Sequence, residues 1–471
     1  MEKTCIACQP DITPVSGLLW LRASIRLLRQ ISRQDSLACR LASQIFERHL
    51  TRTRPAPLHL LNQESSMNHA PFARYLLCTV LPAVLLVQTE TQSAEKLKIF
   101  LLAGQSNMVG HARAHTIATL YASDDPRDQQ LARMVFGGDS DISLPLLNEQ
   151  LQRGKKLDEL TGGISGDRIK AMSAGPEKSQ LEADVKDLKE AHEAYKQKVA
   201  DACAVSDRVY ITSIADRNRK SGQLKIGCGA DDKKIGPEYA FGLSIAEQVD
   251  GPILLIKTSW GGKSLHYNFR PPSAGAYELN DKEKSGDKAE EIADNAGLNY
   301  RLMNEAIREA LDNLPQLHPA YDAASGYEIS GFVWFQGFND QFSDPFRDNY
   351  KDNMISFIND IRKEYSVPKM PFVIGVLGTP VTAEKVAENA VSVGQRAAAQ
   401  WPAFAGSVLA VESYTQYSHY SNAVFKKGWP QHYHEWDTVG SDRPYHYLGS
   451  GAFFVRLGDA FADAMVELMN N

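Results

Sequence analysis

A three-layer α/β/α sandwich around a central parallel sheet is the fold this sequence predicts. Two observations predict it: short continuous apolar runs recur along the chain, and amphipathic helical patterns fill the intervals between them. Strands buried on both faces read as unbroken apolar runs, and strands alternating with helices build parallel sheets.

The first run, Leu97–Gly104 (LKIFLLAG), ends in glycine and reads as a buried strand. Comparable runs follow at 252–258 (PILLIKT), 331–335 (GFVWF), 371–377 (PFVIGVL) and 407–411 (SVLAV). Helical patterns are clearest over 346–364 and 383–400, and a last helix is expected over 449–469. The polar segment 111–234 breaks the rhythm and reads as an insertion. Within it Leu181, Val185, Leu188, His192, Tyr195 and Val199 follow helical spacing and make a narrow apolar stripe on a charged helix. Pro176 suits the first turn of that helix. Such a helix either docks on the domain surface or caps the site. No internal repeat is present.

The chain has 471 residues, 43% hydrophobic and 23% charged, enough apolar material for one large core. A formal net charge of -6 argues against a nucleic-acid partner, which would need a basic surface. The first 66 residues depart from this balance, with many arginines and few acids. Met67 is followed by a basic start, an apolar run over 75–87 too short to span a bilayer, and small residues at Ser93 and Ala94. That is the layout of a secretory signal peptide over 67–94. The expectation is therefore an upstream or disordered extension before Met67, a signal peptide, and a secreted or periplasmic domain over 95–471 with no membrane attachment after cleavage. That mature chain would keep Cys203 and Cys228, either paired or free.

Parallel sheets bind ligands at the carboxyl ends of their strands, so residues just past each run carry the functional argument. Gln105-Ser106-Asn107-Met108 follows the first strand and exposes a serine on a sharp turn. Alone, such a serine is usually a helix cap. Gln336 and Asn339, in the run Gln336-Gly337-Phe338-Asn339-Asp340, follow another strand and could donate to a developing oxyanion. Gly261-Gly262-Lys263-Ser264 lacks the upstream glycine of a phosphate-binding loop, since position 257 is Lys257. It can instead present a backbone N–H to an oxyanion. Finally His432, His434, Glu435, Asp437, Asp442 and His446 gather before the last helix. They read either as a metal site or as a catalytic histidine with its orienting acid.

Together these blocks resemble the SGNH hydrolases, and more closely their carbohydrate-esterase branch of sialate O-acetylesterases and acetyl xylan esterases. The carrying motifs are GQSNM at 104–108, GPEYAFG at 236–242, KTSWGGKSL at 257–265, WFQGFND at 334–340 and DRPYHYLGS at 442–450. The resemblance implies Ser106 as nucleophile, His446 as base, and an oxyanion hole from the Ser106 and Gly262 N–H groups with Gln336 or Asn339. It implies an acyl-serine mechanism, no cofactor, no metal, and an O-acetylated poly- or oligosaccharide as substrate. Gln105, Trp260 and Lys263 are expected to contact that substrate. Two departures stand out. Phe338 replaces the glutamate usual in the sugar-esterase branch, and Arg443 stands where the family's acid lies three residues before the histidine. Asp442, one residue earlier, is the expected triad acid, with Asp437 as its rival. A classical α/β-hydrolase fits less well, because its nucleophile elbow needs glycine where this chain has Met108. Other readings are an SGNH esterase acting on peptidoglycan or simple esters, and a carbohydrate-binding protein with a dead site.

Overall fold

In the computed structural model, residues 95–215, 218–379 and 382–471 are described. The extension and signal peptide expected over 1–94 lie outside the described residues.

Nine strands are present among the described residues: β1 (Leu97–Gly104), β2 (Ala112–Arg113), β3 (Val209–Ala215), β4 (Asn218–Gln223), β5 (Lys234–Ile235), β6 (Ile253–Ser259), β7 (Tyr327–Phe335), β8 (Phe372–Val376) and β9 (Val408–Glu412). Seven form the central sheet in the order β4-β3-β6-β1-β7-β8-β9, and β2 pairs with β5 in a small antiparallel ladder. All central neighbours run parallel except the edge pair β3–β4. The five predicted strands are thus present in one sheet.

Alternate residues of the central strands enter two separate cores. Phe100 and Leu102 of β1, with Val333 and Phe335 of β7, face Tyr239 and Phe241 of the helix Pro237–Gln248 and Phe453, Leu457 and Phe461 of Gly451–Met469. Ile99 and Leu101, with Phe332 and Trp334, face Met303 and Ile307 of Leu298–Asp312 and Phe357 and Ile361 of Tyr350–Glu364. Strand side chains alternate between faces, so two cores on one strand mean helices on both faces. The fold is the three-layer arrangement that the apolar runs predict.

The insertion is shorter than expected, because β3 and β4 lie inside 111–234 yet belong to the central sheet. The polar edge hairpin, with Asn218 to Gln223 as its outer strand, conceals this in the sequence. The insertion helix spans Pro176–Asp201 and buries Val185, His192, Tyr195 and Val199 of the expected stripe. Tyr195 and Val199 join the domain core, so the helix is docked. The helix expected over 383–400 is two helices, Ala383–Glu388 and Ala390–Ala399. Asn389 separates them, its side chain accepting from the Val391 and Ser392 N–H groups as an N-cap. Cys203 and Cys228 are buried free thiols and do not pair. Among the described residues no helix is long and apolar enough to cross a membrane.

Candidate functional site

Register brings the three expected loops to one edge of the sheet. Gly104 lies beside Ser259 on one side and Phe335 on the other. The Gln105 N–H donates to Phe335 O (3.2 Å) and the Trp260 N–H to Gly104 O (3.2 Å). Gly104 is required by this approach, since a Cβ there would sit 2.1 Å from Phe335 O. The chain then turns into the one-turn helix Ser106–Val109, closed by the Met108 and Val109 N–H groups donating to Gln105 O. The first N–H groups of a helix have no acceptor within it, which leaves the Ser106 N–H for another partner.

Beneath this turn lies a fully buried ion pair. Lys257 Nζ is 3.1 Å from Glu238 Oε2, and both side chains have no exposure. Lys257 also donates to Val109 O (3.1 Å) and Cys228 O (2.7 Å), and Glu238 accepts from the Gly236 N–H. The charged residues of GPEYAFG and KTSWGGKSL are therefore a buttress under the serine turn.

Gln105 is buried, so it does not face a substrate directly. Its Oε1 accepts from Gln336 Nε2 (3.2 Å), Gly337 N (3.3 Å) and Asn339 N (3.4 Å), and its Nε2 donates to Asn339 Oδ1 (3.2 Å). Gln336 is equally engaged. Its Nε2 donates to Lys263 O (2.9 Å) and to Asp340 as well, while its Oε1 accepts from Tyr350 OH (3.0 Å). Asn339 is half-buried with its Oδ1 held by Gln105, which orients its amide and leaves Nδ2 as a donor. Gly262 is exposed at φ 69°, a left-handed conformation that suits glycine. Trp260 is buried against Phe269, and Lys263 is half-buried.

Asp340, for which sequence reasoning found no role, is fully buried and accepts from the Leu265 and His266 N–H groups, each at 3.0 Å. It ties the loop after β7 to the loop after β6. Burial pushes its carboxyl up to about 6, against the pull of Gln336 and those N–H donors.

The histidine arrives on a different support. His446 Nδ1 lies 3.1 Å from Asp442 Oδ1, an ion-pair approach off the line of a hydrogen bond, and has no other partner. Residues 444–449 form a tight turn in which Tyr447 and Leu448 take positive φ (51° and 63°). The Ser441 and Asp442 N–H groups donate back to Leu448 O, and the Leu448 N–H donates to Arg443 O. This closure absorbs the residue by which the acid-to-histidine spacing exceeds the family's. The strain, about 1–3 kcal/mol per residue, is held by Tyr447. Its ring stacks on Phe453 at 3.9 Å, and its hydroxyl bonds Ser413 and the Gly378 N–H. Asn107 Nδ2 donates to Tyr445 O (3.1 Å), tying the residue beside Ser106 to the residue beside His446.

Asp437, the rival acid, pairs with His192 (3.3 Å) and Lys196 of the insertion helix. Glu435 pairs with Lys155 (3.8 Å) and Lys427 (2.6 Å). Of the three carboxylates, Asp442 is the one against His446.

His111 was missed in the sequence. Its ring stacks on His446 at 4.1 Å and 6° between planes, and its Nδ1 is 3.5 Å from Asp442 Oδ2. The Asp442 carboxyl is buried enough to oppose ionisation. His111, His446 and the Arg443 N–H outweigh that and hold it well below the usual carboxylate range. His111, Asp442 and His446 each offer one ligand atom, all within 4.8 Å of one another, so this trio could hold a metal ion. His111 follows Gly110 with no motif around it, and only its return beside the C-terminal loop gives it meaning.

The family described as carbohydrate esterase, sialic acid-specific acetylesterase, matches residues 182–415. Residues 182–415 of the chain are thus similar to this esterase family. Solved structures give distant likenesses. An Arabidopsis thaliana protein shares 13% identity, covering 79% of this chain and 98% of that one, with a TM-score of 0.37. A carbohydrate acetylesterase from Xanthomonas citri shares 14%, covering 67% and 49%, at 0.33. The structure of NanS shares 10%, covering 68% and 78%, at 0.32. No curated protein matches the chain. The matched segment holds Lys257, Gly262, Gln336 and Asn339, while Ser106 and the Asp442–His446 pair lie on either side of it.

Proposed function

We propose that the protein is a serine carbohydrate O-acetylesterase, of acetyl xylan or sialate type, with Ser106, His446 and Asp442 as its triad. The observation that carries this is the Asp442–His446 pair tethered, through Asn107 and Tyr445, to the turn bearing Ser106. His446 takes the Ser106 proton as the hydroxyl oxygen bonds to the acetyl carbonyl carbon. The tetrahedral oxyanion is met by the Ser106 and Gly262 N–H groups and Asn339 Nδ2. Collapse breaks the bond to the sugar oxygen, which receives the proton from His446. Water, deprotonated by His446, then frees acetate and restores Ser106. Asp442 holds the imidazole orientation and balances the imidazolium. Gln336 and Gln105 act as supports that aim Asn339, because their own amides are consumed inside the protein. The reaction needs no metal in this scheme. The leader-like 67–94 segment supports action outside the cytoplasm.

The test is acetate release from acetylated xylan, an O-acetylated sialoside and an aryl acetate, together with labelling by a fluorophosphonate. Release from at least one glycan, and labelling abolished in Ser106→Ala, is the expected result. Absence of labelling in the wild-type protein would favour a carbohydrate-binding protein with a dead site.

A further inference from the structure

Next to the triad lies a feature that the acyl-transfer scheme does not use. Tyr445 is 45% exposed, and its ring stands 4.5 Å from that of His446. Phe338, the residue that replaces the family's glutamate, lies 5.9 Å from Tyr445 and 5.2 Å from Phe342. Phe342 is 68% exposed, the largest value for a large hydrophobic side chain among the described residues. Three aromatic rings thus lead in contact from the histidine outward, the half-buried Phe338 joining two exposed ends.

Two large aromatic side chains left in water at one place cost solvation and carry meaning where scattered ones do not. The nearby guanidinium groups are held away from these rings. Arg347 is held by Asp344 and the Gln341 carbonyl, and the Arg443 guanidinium covers the Trp429 ring at 4.3 Å. The ring faces themselves carry no formal charge, so the ledge suits an uncharged partner surface. An aromatic face carries partial negative charge and attracts the weakly positive C–H groups of an apolar surface. The axial C–H face of a pyranose is such a surface. The row runs from the ring beside His446 to the exposed Phe342 through two centroid steps of 5.9 and 5.2 Å, longer than one pyranose ring.

We propose that Phe338, Phe342 and Tyr445 form a subsite that stacks a neutral sugar ring neighbouring the acetylated one, so that the natural substrate is an acetylated oligo- or polysaccharide rather than a monosaccharide. This rests on the esterase reading above. Phe342 and Tyr445 set specificity here by holding the glycan chain, and Phe338 supports them from below.

The experiment compares kcat/KM for acetylated xylo-oligosaccharide and for acetylated methyl xyloside, with an aryl acetate alongside, in the wild type, Phe342→Ala and Phe342→Trp. The wild type should favour the oligosaccharide. Phe342→Ala should reduce the oligosaccharide-to-monosaccharide ratio by roughly tenfold, as for loss of an aromatic anchor, mainly through KM. Phe342→Trp should restore it. Phe342 is exposed, so its replacement leaves the core untouched. A wild-type ratio near one, or a ratio unchanged within about twofold in Phe342→Ala, overturns the subsite and leaves the esterase reading standing. Hydrolysis of aryl acetate alone, with neither sugar acetate cleaved, removes the carbohydrate reading and the subsite with it.

Discussion

The turn that carries Ser106 rests on groups fully withdrawn from water, Lys257 and Glu238 beneath it and Gln105 and Gln336 beside it, whereas the loop that carries His446 is half-exposed and shaped by left-handed residues. One side is held by charge and amide hydrogen bonds running between three strand ends. The other is held by backbone strain locked through a single buried tyrosine. The difference suits the roles proposed for the two sides. A nucleophile and its oxyanion donors have to keep a fixed spacing through the reaction. A base must accept a proton, pass it on and turn over, and its orientation rests on one carboxylate.

The comparison breaks most visibly at the reacting atoms. Ser106→Ala should reduce aryl-acetate hydrolysis by roughly 10⁴-fold or more while leaving Tm unchanged. Asp442→Asn should cost up to about 10⁴ in kcat, through the wrong imidazole tautomer, whereas Asp437→Asn should cost stability rather than the tautomer. A collapse of kcat in Asp437→Asn with Asp442→Asn near wild type would move the acid to the insertion side.

Next comes the buttress. Lys257→Met leaves Glu238 buried and unpaired and should destabilise the fold by about 3–5 kcal/mol. Adding Glu238→Gln should recover much of that in a denaturant titration. A Lys257→Met protein as stable as wild type would show that the serine turn does not depend on the pair.

Asn339 and Gln336 separate the two kinds of contribution within the oxyanion wall. Asn339→Ala should reduce kcat by roughly 10²-fold or more with Tm almost unchanged. Gln336→Ala strips a donor from Asp340 and should lower Tm as well. Equal kcat losses with no change in Tm for either would make both amides direct donors.

The smallest expected effect is on acid stability. Burial lowers His115, His266 and His434 to about 4 from an ordinary 6.5. Neighbouring Asp437 and Lys196 at His115, Arg270 at His266 and His192 at His434 modify this. The unfolded chain takes up these protons first, so the stability they contribute is whole above pH 6.5 and erodes as pH falls towards 4. Asp340, raised to about 6 by burial, works in the opposite direction between 3.8 and 6. His318 is lowered by burial as well and Asp158 and Asp459 are raised, but the three imidazoles carry the larger shifts, and Tm should be lower at pH 4.5 than at pH 7. A flat profile would show that these imidazoles are not excluded from protonation in the fold.

How much of this was legible in the sequence differed between the two sides. Leu97–Gly104 and the other apolar runs announced the sheet, because strands buried on both faces need no alternation to be recognised. Ser106, Asn339, Asp442 and His446 stood in motifs at strand ends or before the last helix. The charged residues of GPEYAFG and KTSWGGKSL were visible as motif but not as a pair, since nothing local says that Glu238 and Lys257 meet under Val109. Substrate contact was expected of Gln105 because of its place in the chain, yet its side chain turns inward to Gln336 and Asn339. β3 and β4 escaped because an edge hairpin carries little apolar signal, and His111 because stacking across distant segments leaves no spacing to read.

The contact between Asn107 and Tyr445 joins residues 338 positions apart. A ribosome adds about 5–20 residues per second, so Ser106 is made roughly twenty seconds to a minute before His446, its proposed base. The early strands can pair as they emerge, but the loop that would complete the proposed triad is made after them, just ahead of the helix Gly451–Met469 that packs it. Until His446 has emerged and its loop has folded, a nascent chain therefore carries Ser106 without its proposed base, and hydrolysis by the proposed triad has to wait for that loop.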